Sequence, residues 1–311
     1  MHFSGKMPAR KDNWRLVVYS QLVLTMFLWG LAWPVGRLLA TDLPSISIAV
    51  VRYAIVVPVL FIILWLRRTR LSIRRQWIVN LVAMGLLSTT LYQAFFLFGV
   101  KYAAASDDSL VIGVGPVLIA ILASFVLNES LTRTKVLGLV SGLSGIAVIS
   151  LLSPNTNVPN RLLGVTLVFG GAAAYALYTV LLRRFVSANR VSHAELAPSS
   201  LSILAWISLF GWIFMIPFSL LESPWTYTWT TTSWLGILYL ALLSTVVGYF
   251  FYVEGVSKIG ASRAAIFSNL VPVFGVISSI LLLRENASPW HGVSFLLILA
   301  GVVLVNRPGK Q

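Results

Sequence analysis

Apolar residues in this chain arrive in long runs separated by short, mostly basic segments. Val17 to Leu39 carries one charged residue, Arg37, near its end, and Leu201 to Leu221 carries none. A bilayer crossing needs about 20 apolar residues. Backbone groups in hydrocarbon must bond within their own segment, so each run predicts a membrane-spanning helix. The pattern gives ten spans, at 17–39, 45–66, 77–100, 105–127, 135–152, 162–182, 197–221, 233–257, 262–283 and 290–306. Lys101 to Asp108 and Ser257 to Ala261 are short, so the connections after the third and eighth spans are expected to be tight hairpins. The first run is too long for the h-region of a signal peptide, and no small-x-small cleavage site interrupts it before further spans follow. The expected organisation is an N-terminal tail (1–16), a first half (17–152), a second half (161–306) and a C-terminal tail (307–311).

Charge orients these spans. With the N-terminus inside, the inner segments hold 18 of the 23 Lys and Arg residues, and the outer segments hold Arg37, Lys101, Arg161 and Arg284. Arg52 is left within a span, where a buried charge is expected to be paired or functional, with snorkelling or holding the outer end of the second helix as the alternative. This asymmetry follows the positive-inside rule and predicts both termini in the cytoplasm. Losing one span would invert every later loop and destroy the pattern.

Composition agrees. Hydrophobic residues make up 58% of the 311, charged residues 10%, and mean hydropathy is +0.88. Soluble domains carry about a quarter charged residues. The net charge of +14 raises nucleic acid as a partner, but the basic residues lie in loops beside spans and not on a binding module. The absence of cysteine excludes disulfides, thiol catalysis and thiolate metal sites.

The two halves repeat each other. Phe96 to Ser106 can be laid on Tyr252 to Ser262 at an offset of 156, and the same register matches Gly99 to Gly255, Pro116 to Pro272, Glu129 to Glu285 and Gly145 to Gly301. At an offset of 146, Trp29-Gly30 pairs with Tyr175-Ala176 and Arg37 with Arg183. Each half has five spans, an odd number, so the second half crosses in the opposite sense. Inverted repeats are a transporter architecture, with the site at mid-membrane where the halves meet.

Phe27-Leu-Trp-Gly30, Arg52-Tyr53, Tyr102-Ala-Ala-Ala-Ser106, Gly115-Pro116 and Leu127-Asn-Glu-Ser-Leu131 follow in order. The second half echoes them in Ala261-Ser262, Val271-Pro272 and Leu283-Arg-Glu285. This set resembles the drug/metabolite transporter superfamily, EamA type, over nearly the whole chain. The resemblance implies an all-α integral membrane protein with ten transmembrane helices in two inverted five-helix repeats around a central cavity. It also implies movement of small metabolites, often amino acids and often outward. Tyr175 stands where the second repeat commonly has Trp, and Asp107-Asp108 is unusually acidic.

Candidate site residues follow from the spans and the repeat. Trp29 and Trp33 share a helix face at i and i+4. Gln93 and Phe96 map onto Tyr249 and Tyr252. Tyr92, Tyr175 and Tyr178 add polar-tipped aromatics, and Asn269 is an in-span amide that needs a partner. These ten are expected to contact substrate, against the plain alternative that in-span aromatics only pack. Trp206, Trp212, Trp225, Trp229 and Trp234 read as belt or loop residues. Pro116 and Pro272 are expected to kink the fourth and ninth helices, either as a pliable cavity wall or as a packing kink alone. Ser106 and Ser262 read as N-caps with Asp107 and Asp108 at the positive helix end, or as a vestibule that attracts cationic groups. Glu254 is an in-span carboxylate for possible coupling, or a partner for Arg263, and Glu129 and Glu285 read as loop-packing residues.

His2, His193 and His291 are scattered over tail and loops, with no metal spacing, phosphate loop or nucleophile elbow. The expected function is therefore export of small metabolites, amino acids first, across the cell membrane. No cofactor and no metal is expected. The partners are a small-molecule substrate and the lipid bilayer, with the chain a monomer or weak homodimer. An embedded enzyme, a channel or a receptor is the alternative.

Overall fold

The computed structural model describes residues 13–69, 73–127, 129–153, 157–192 and 199–306. Most of the N-terminal tail, the whole C-terminal tail and His193 lie outside these residues, as do the Ser262 side chain and all of His2. The described chain is a bundle of ten helices: α1 (Trp14–Asp42), α2 (Ser45–Leu66), α3 (Arg75–Tyr102), α4 (Ala105–Val126), α5 (Arg133–Leu152), α6 (Arg161–Ala188), α7 (Ser200–Leu221), α8 (Thr231–Ile259), α9 (Arg263–Leu283) and α10 (Pro289–Val305). The first nine are long and apolar enough to cross a bilayer, and α10, at 17 residues, sits at the lower end of the spanning range. The protein is a multi-pass membrane protein. Helix α6 runs past the expected end at Leu182, because the exposed Arg183 and Arg184 carry its last turns beyond the apolar run.

Both expected hairpins are tight. Ala103 and Ala104 alone join α3 to α4. Gly260 alone separates the helix ending at Ile259 from the one starting at Ala261, with φ 88°, a conformation only glycine adopts without strain.

Helix contacts obey the repeat. Helix α1 packs on α9, and its counterpart α6 packs on α4. Helix α3 packs on α6, and its counterpart α8 packs on α1. Helices α2 and α7 pair with each other, as do α5 and α10. Small residues let these backbones close where lipid supplies no hydrophobic drive between helices. A Cβ on Gly301 would stand 2.6 Å from the Gly138 oxygen, and one on Gly145 would stand 2.8 Å from the Ser294 oxygen. Outward, Phe125, Leu151, Leu221 and Leu281 form part of an exposed apolar surface suited to lipid.

Four helices are broken internally, again in pairs. Helix α4 consists of Ala105–Val111, a 3-10 turn at Ile112–Val114, and Gly115–Val126. Helix α9 is interrupted before Leu270–Leu283. Pro116 and Pro272 stand in the first turns of the second segments. The prolines therefore start new helical segments, where a missing N–H costs little, instead of kinking continuous helices. Helices α3 and α8 each contain a π segment, Leu86–Leu91 and Tyr239–Val247.

The end of the bundle opposite the termini is closed by carboxylates reaching across the halves. Glu285, just beyond α9, accepts from the Ala105 and Ser106 backbone N–H groups, both at 2.9 Å, and lies 3.6 Å from Arg37. Glu222, just beyond α7, accepts from Ile46 N at 3.0 Å and Ser47 N at 2.8 Å. Two helix N-termini thus receive an anion from the other half, where backbone N–H groups and the helix dipole favour it. This corrects two expectations. Ser106 does not cap α4, which has Ala104 at the N-cap without a side-chain bond, and Glu285 does more than pack a loop. Asp107, in the first turn of α4, accepts from Ser153 Oγ at 2.9 Å and faces His291 Nε2 at 3.3 Å and Arg161 at 3.7 Å. His291 is thus a buried part of this end and not a loop residue.

Candidate functional site

The π segments of α3 and α8 carry the same tetrapeptide, Leu86-Leu-Ser-Thr89 and Leu242-Leu-Ser-Thr245, at the repeat offset of 156. A π turn widens the helix and leaves carbonyls out of the regular ladder, and such turns cluster at functional sites. Here the Ser244 carbonyl accepts from Trp29 Nε1 at 2.9 Å, which ties α1 to α8 across the halves. Thr90, in the other π segment, donates to the Gly211 carbonyl at 2.9 Å and ties α3 to α7.

Aromatic side chains gather around these ties. The Trp29 ring lies 5.2 Å from Tyr249 and 5.3 Å from Tyr252. Tyr92 lies 5.3 Å from Tyr175, which lies 5.3 Å from Tyr178. Tyr53, Tyr92, Tyr175 and Tyr178 are all neighbours of Tyr249. Trp29, Tyr92, Tyr175, Tyr249 and Tyr252 are only half-buried. Trp33 and Phe96, 3% and 5% exposed, stand behind them in an edge-to-face pair at 4.9 Å. Phe96 fills the space beside Gly36, so these two form the wall that positions the cluster.

Arg52 borders the same cluster, and of its two expected readings the structure favours the paired one. It is 6% exposed, too buried to snorkel or to hold a helix end. Its guanidinium donates to Gln93 Oε1 at 3.0 Å and to Thr245 Oγ1 at 3.2 and 2.7 Å. Gln93 in turn donates to the Tyr53 hydroxyl at 3.1 Å. The field of Arg52 reaches Tyr92 and Tyr239. Its signal was available in the sequence: an arginine in a span is expensive unless partnered, and the repeated Leu-Leu-Ser-Thr marks where a partner sits.

Four candidates fall elsewhere. Asn269 sits at the break in α9 and donates to Ile266 O at 3.1 Å in its own helix. With Pro272 and Gly113 it lines a void of about 10 Å³, room for at most a water, and no contact joins it to the aromatic cluster among the described residues. Glu254 pairs with Lys258 at 2.6 Å, one turn along the exposed end of α8, and not with Arg263. Pro116 makes no described contact with the cluster. Trp206 and Trp212 are not belt residues: Trp212 Nε1 donates to Val50 O at 2.9 Å and Trp206 packs edge-on against Phe61 at 5.3 Å, fastening α7 to α2.

A ten-helix bundle of two swapped halves, with an aromatic and polar cluster between them, can be compared with known proteins. The profile described as the EamA-like transporter family matches residues 16–151 and again 162–307. The chain belongs to the EamA-like transporter family. Its relatives include the uncharacterized transporter YetK of Bacillus subtilis, 26% identical over 94% of this chain and 88% of that protein. YyaM of the same organism is 30% identical over 76% of each chain. An uncharacterized transporter of Archaeoglobus fulgidus is 28% identical over 92% of this chain and 97% of its own. A solved structure described as "Crystal structure of protein" aligns with a TM-score of 0.63 at 20% identity, covering 92% of this chain and 96% of that one. The structural likeness speaks for the fold. The family and the relatives' names identify a membrane transporter of EamA type.

Proposed function

We propose that this EamA-type chain is a secondary transporter that exports small amphipathic metabolites, amino acids first, by alternating access to the cluster between its halves. The observation that carries the reading is that the cluster takes side chains from both halves. Trp29 and Tyr92 come from the first, and Tyr175, Tyr249 and Tyr252 from the second. Relative movement of the halves would open one side of such a site while closing the other.

The two ends of the bundle support alternation because they differ where the repeat makes them equivalent. Glu285 caps α4 at the end opposite the termini. Its counterpart Glu129 is at the other end, half-exposed, paired with Arg183 at 2.8 Å and Lys135 at 3.5 Å. Among the described residues it makes no bond to the start of α9. Arg37 and Arg183 are also repeat partners, so each glutamate keeps its arginine while only one caps a helix. In the alternate state Glu129 would cap α9 and Glu285 would release α4. Both termini are placed in the cytoplasm, with the chain in the cell membrane, on the charge asymmetry of the loops.

The test is counterflow in proteoliposomes with a panel of amino acids, sugars and amphipathic drugs. Saturable exchange of at least one class is the expected result. Conductance without saturation would replace the reading with a pore, and covalent conversion of a substrate would replace it with an enzyme.

A further inference from the structure

The central site contains a cation without an anion. Arg52 makes no ion pair among the described residues, and its hydrogen-bond partners, Gln93 and Thr245, are neutral. Those bonds use three of the N–H groups that a guanidinium offers and leave two. The buried carboxylates lie elsewhere. Asp107 and Asp108 stand in the first turn of α4, and Glu222 and Glu285 cap helices at the end opposite the termini. A charge held in a membrane interior without a counter-charge is costly, and such residues persist where they meet a ligand or a partner.

The repeat shows that Arg52 is an addition and not a part of the scaffold. Thr245 touches Arg52, and its repeat equivalent Thr89 packs against Gly211. Gly211 stands 159 residues beyond Arg52, the same spacing that separates the in-helix prolines Pro58 and Pro217. One half thus has a guanidinium where the other has no side chain. A symmetric pair of helices needs no such charge to pack, since α7 packs against α3 with glycine in that place.

We propose that Arg52 is the anchor for a carboxylate on the transported molecule. The substrate class is then a monocarboxylate with an apolar or aromatic body. The carboxylate meets the two free N–H groups of Arg52, and the body lies on Trp29, Tyr92, Tyr175 and Tyr249. Planar guanidinium and carboxylate suit paired, charge-assisted hydrogen bonds, which are the strong ones. Among the described residues no carboxylate stands at the aromatic cluster, so a positive group on the ligand gains no partner there. An amine is thus dispensable, and a cationic amphiphile is repelled. The assignment deepens the transporter reading and rests on it for the word substrate, but the anion site itself does not.

The test uses the purified full-length protein in lipid nanodiscs and three probes of one shape: 3-phenylpropanoate, 3-phenylpropanamide and 3-phenylpropan-1-amine. Calorimetric binding and the shift in melting temperature are read for each. The acid is expected to bind about thirtyfold or more tightly than the amide, as for loss of one member of a buried charged pair, and the amine not at all. Arg52→Lys keeps the preference for the acid with weaker binding. Arg52→Gln loses the preference while the amide still binds, which shows that the variant is folded. Equal binding of acid, amide and amine to the natural protein overturns the proposal without needing any variant. So does an acid preference that survives Arg52→Gln, and so does failure of the acid to bind. Acid binding without counterflow would leave the anion site standing and remove the transporter reading. Counterflow of amines or sugars with no response to acids would do the reverse.

Discussion

Replacing Glu285 with Gln is expected to loosen the end of the bundle opposite the termini. The carboxylate accepts one backbone N–H on each oxygen, from Ala105 and Ser106, and lies beside Arg37. Glutamine keeps one acceptor and turns the other into a donor facing a donor. A hydrogen bond to a charged group contributes about 1.5–3 kcal/mol. Arg37 retains its bond to Val100 O at 3.0 Å, so its loss of a partner adds little. Taking about 2–3 kcal/mol for the change, the closed state weakens about 30- to 140-fold against the open one. The protein has no cysteine, so a single reporter thiol is unambiguous. Ala104 is fully buried between α3 and α4 beside Glu285 and serves as the site. In Ala104→Cys, a membrane-impermeant maleimide added from the side opposite the termini should react slowly. Adding Glu285→Gln should raise the rate toward the predicted ratio, and Glu129→Gln should not. An unchanged rate in the double variant, or a rise seen only from the termini side, would refute the reasoning about the caps.

Trp29→Phe removes the N–H bond to the Ser244 carbonyl, and transport should weaken by about 1–3 kcal/mol in apparent affinity with normal expression, while Trp225→Phe, on an exposed loop ring, should leave counterflow unchanged. Gly275→Val drives a side chain into Ser109 where α9 meets α4, and should lower stability by about 1–3 kcal/mol, read as melting temperature in detergent. Asp107→Asn strips the counter-charge from Arg161 at a buried node, so the same assay should show a loss of about 3–5 kcal/mol. Reporter fusions after Gln311 and within 154–160 should report opposite sides, and equal sidedness would remove an odd number of spans.

Much of the architecture follows from one-dimensional facts. Hydrocarbon admits only internally bonded backbone, so run length alone dictated ten helices, and loop charge dictated their expected sense. The offset of 156 announced the duplication because Gly, Pro and Glu at fixed register reflect close packing, segment starts and caps that both halves need. The aromatic set Trp29, Tyr92, Tyr175, Tyr249 and Tyr252 was legible for the same reason, since inverted symmetry carries equivalent positions to one place. Tertiary structure decided what depends on contacts between helices far apart in the chain. Glu285 is a surface-looking loop residue until α9 is laid against the N-terminus of α4. Glu254 looks buried until α8 is seen to turn it outward onto Lys258. Arg52 reads in the sequence as an in-span charge in need of a partner, and the approach of α3 and α8 decides that Gln93 and Thr245 hold it. Periodicity tells which face of a helix is apolar. It does not tell which neighbour that face meets, and partners for buried charge are chosen by that meeting.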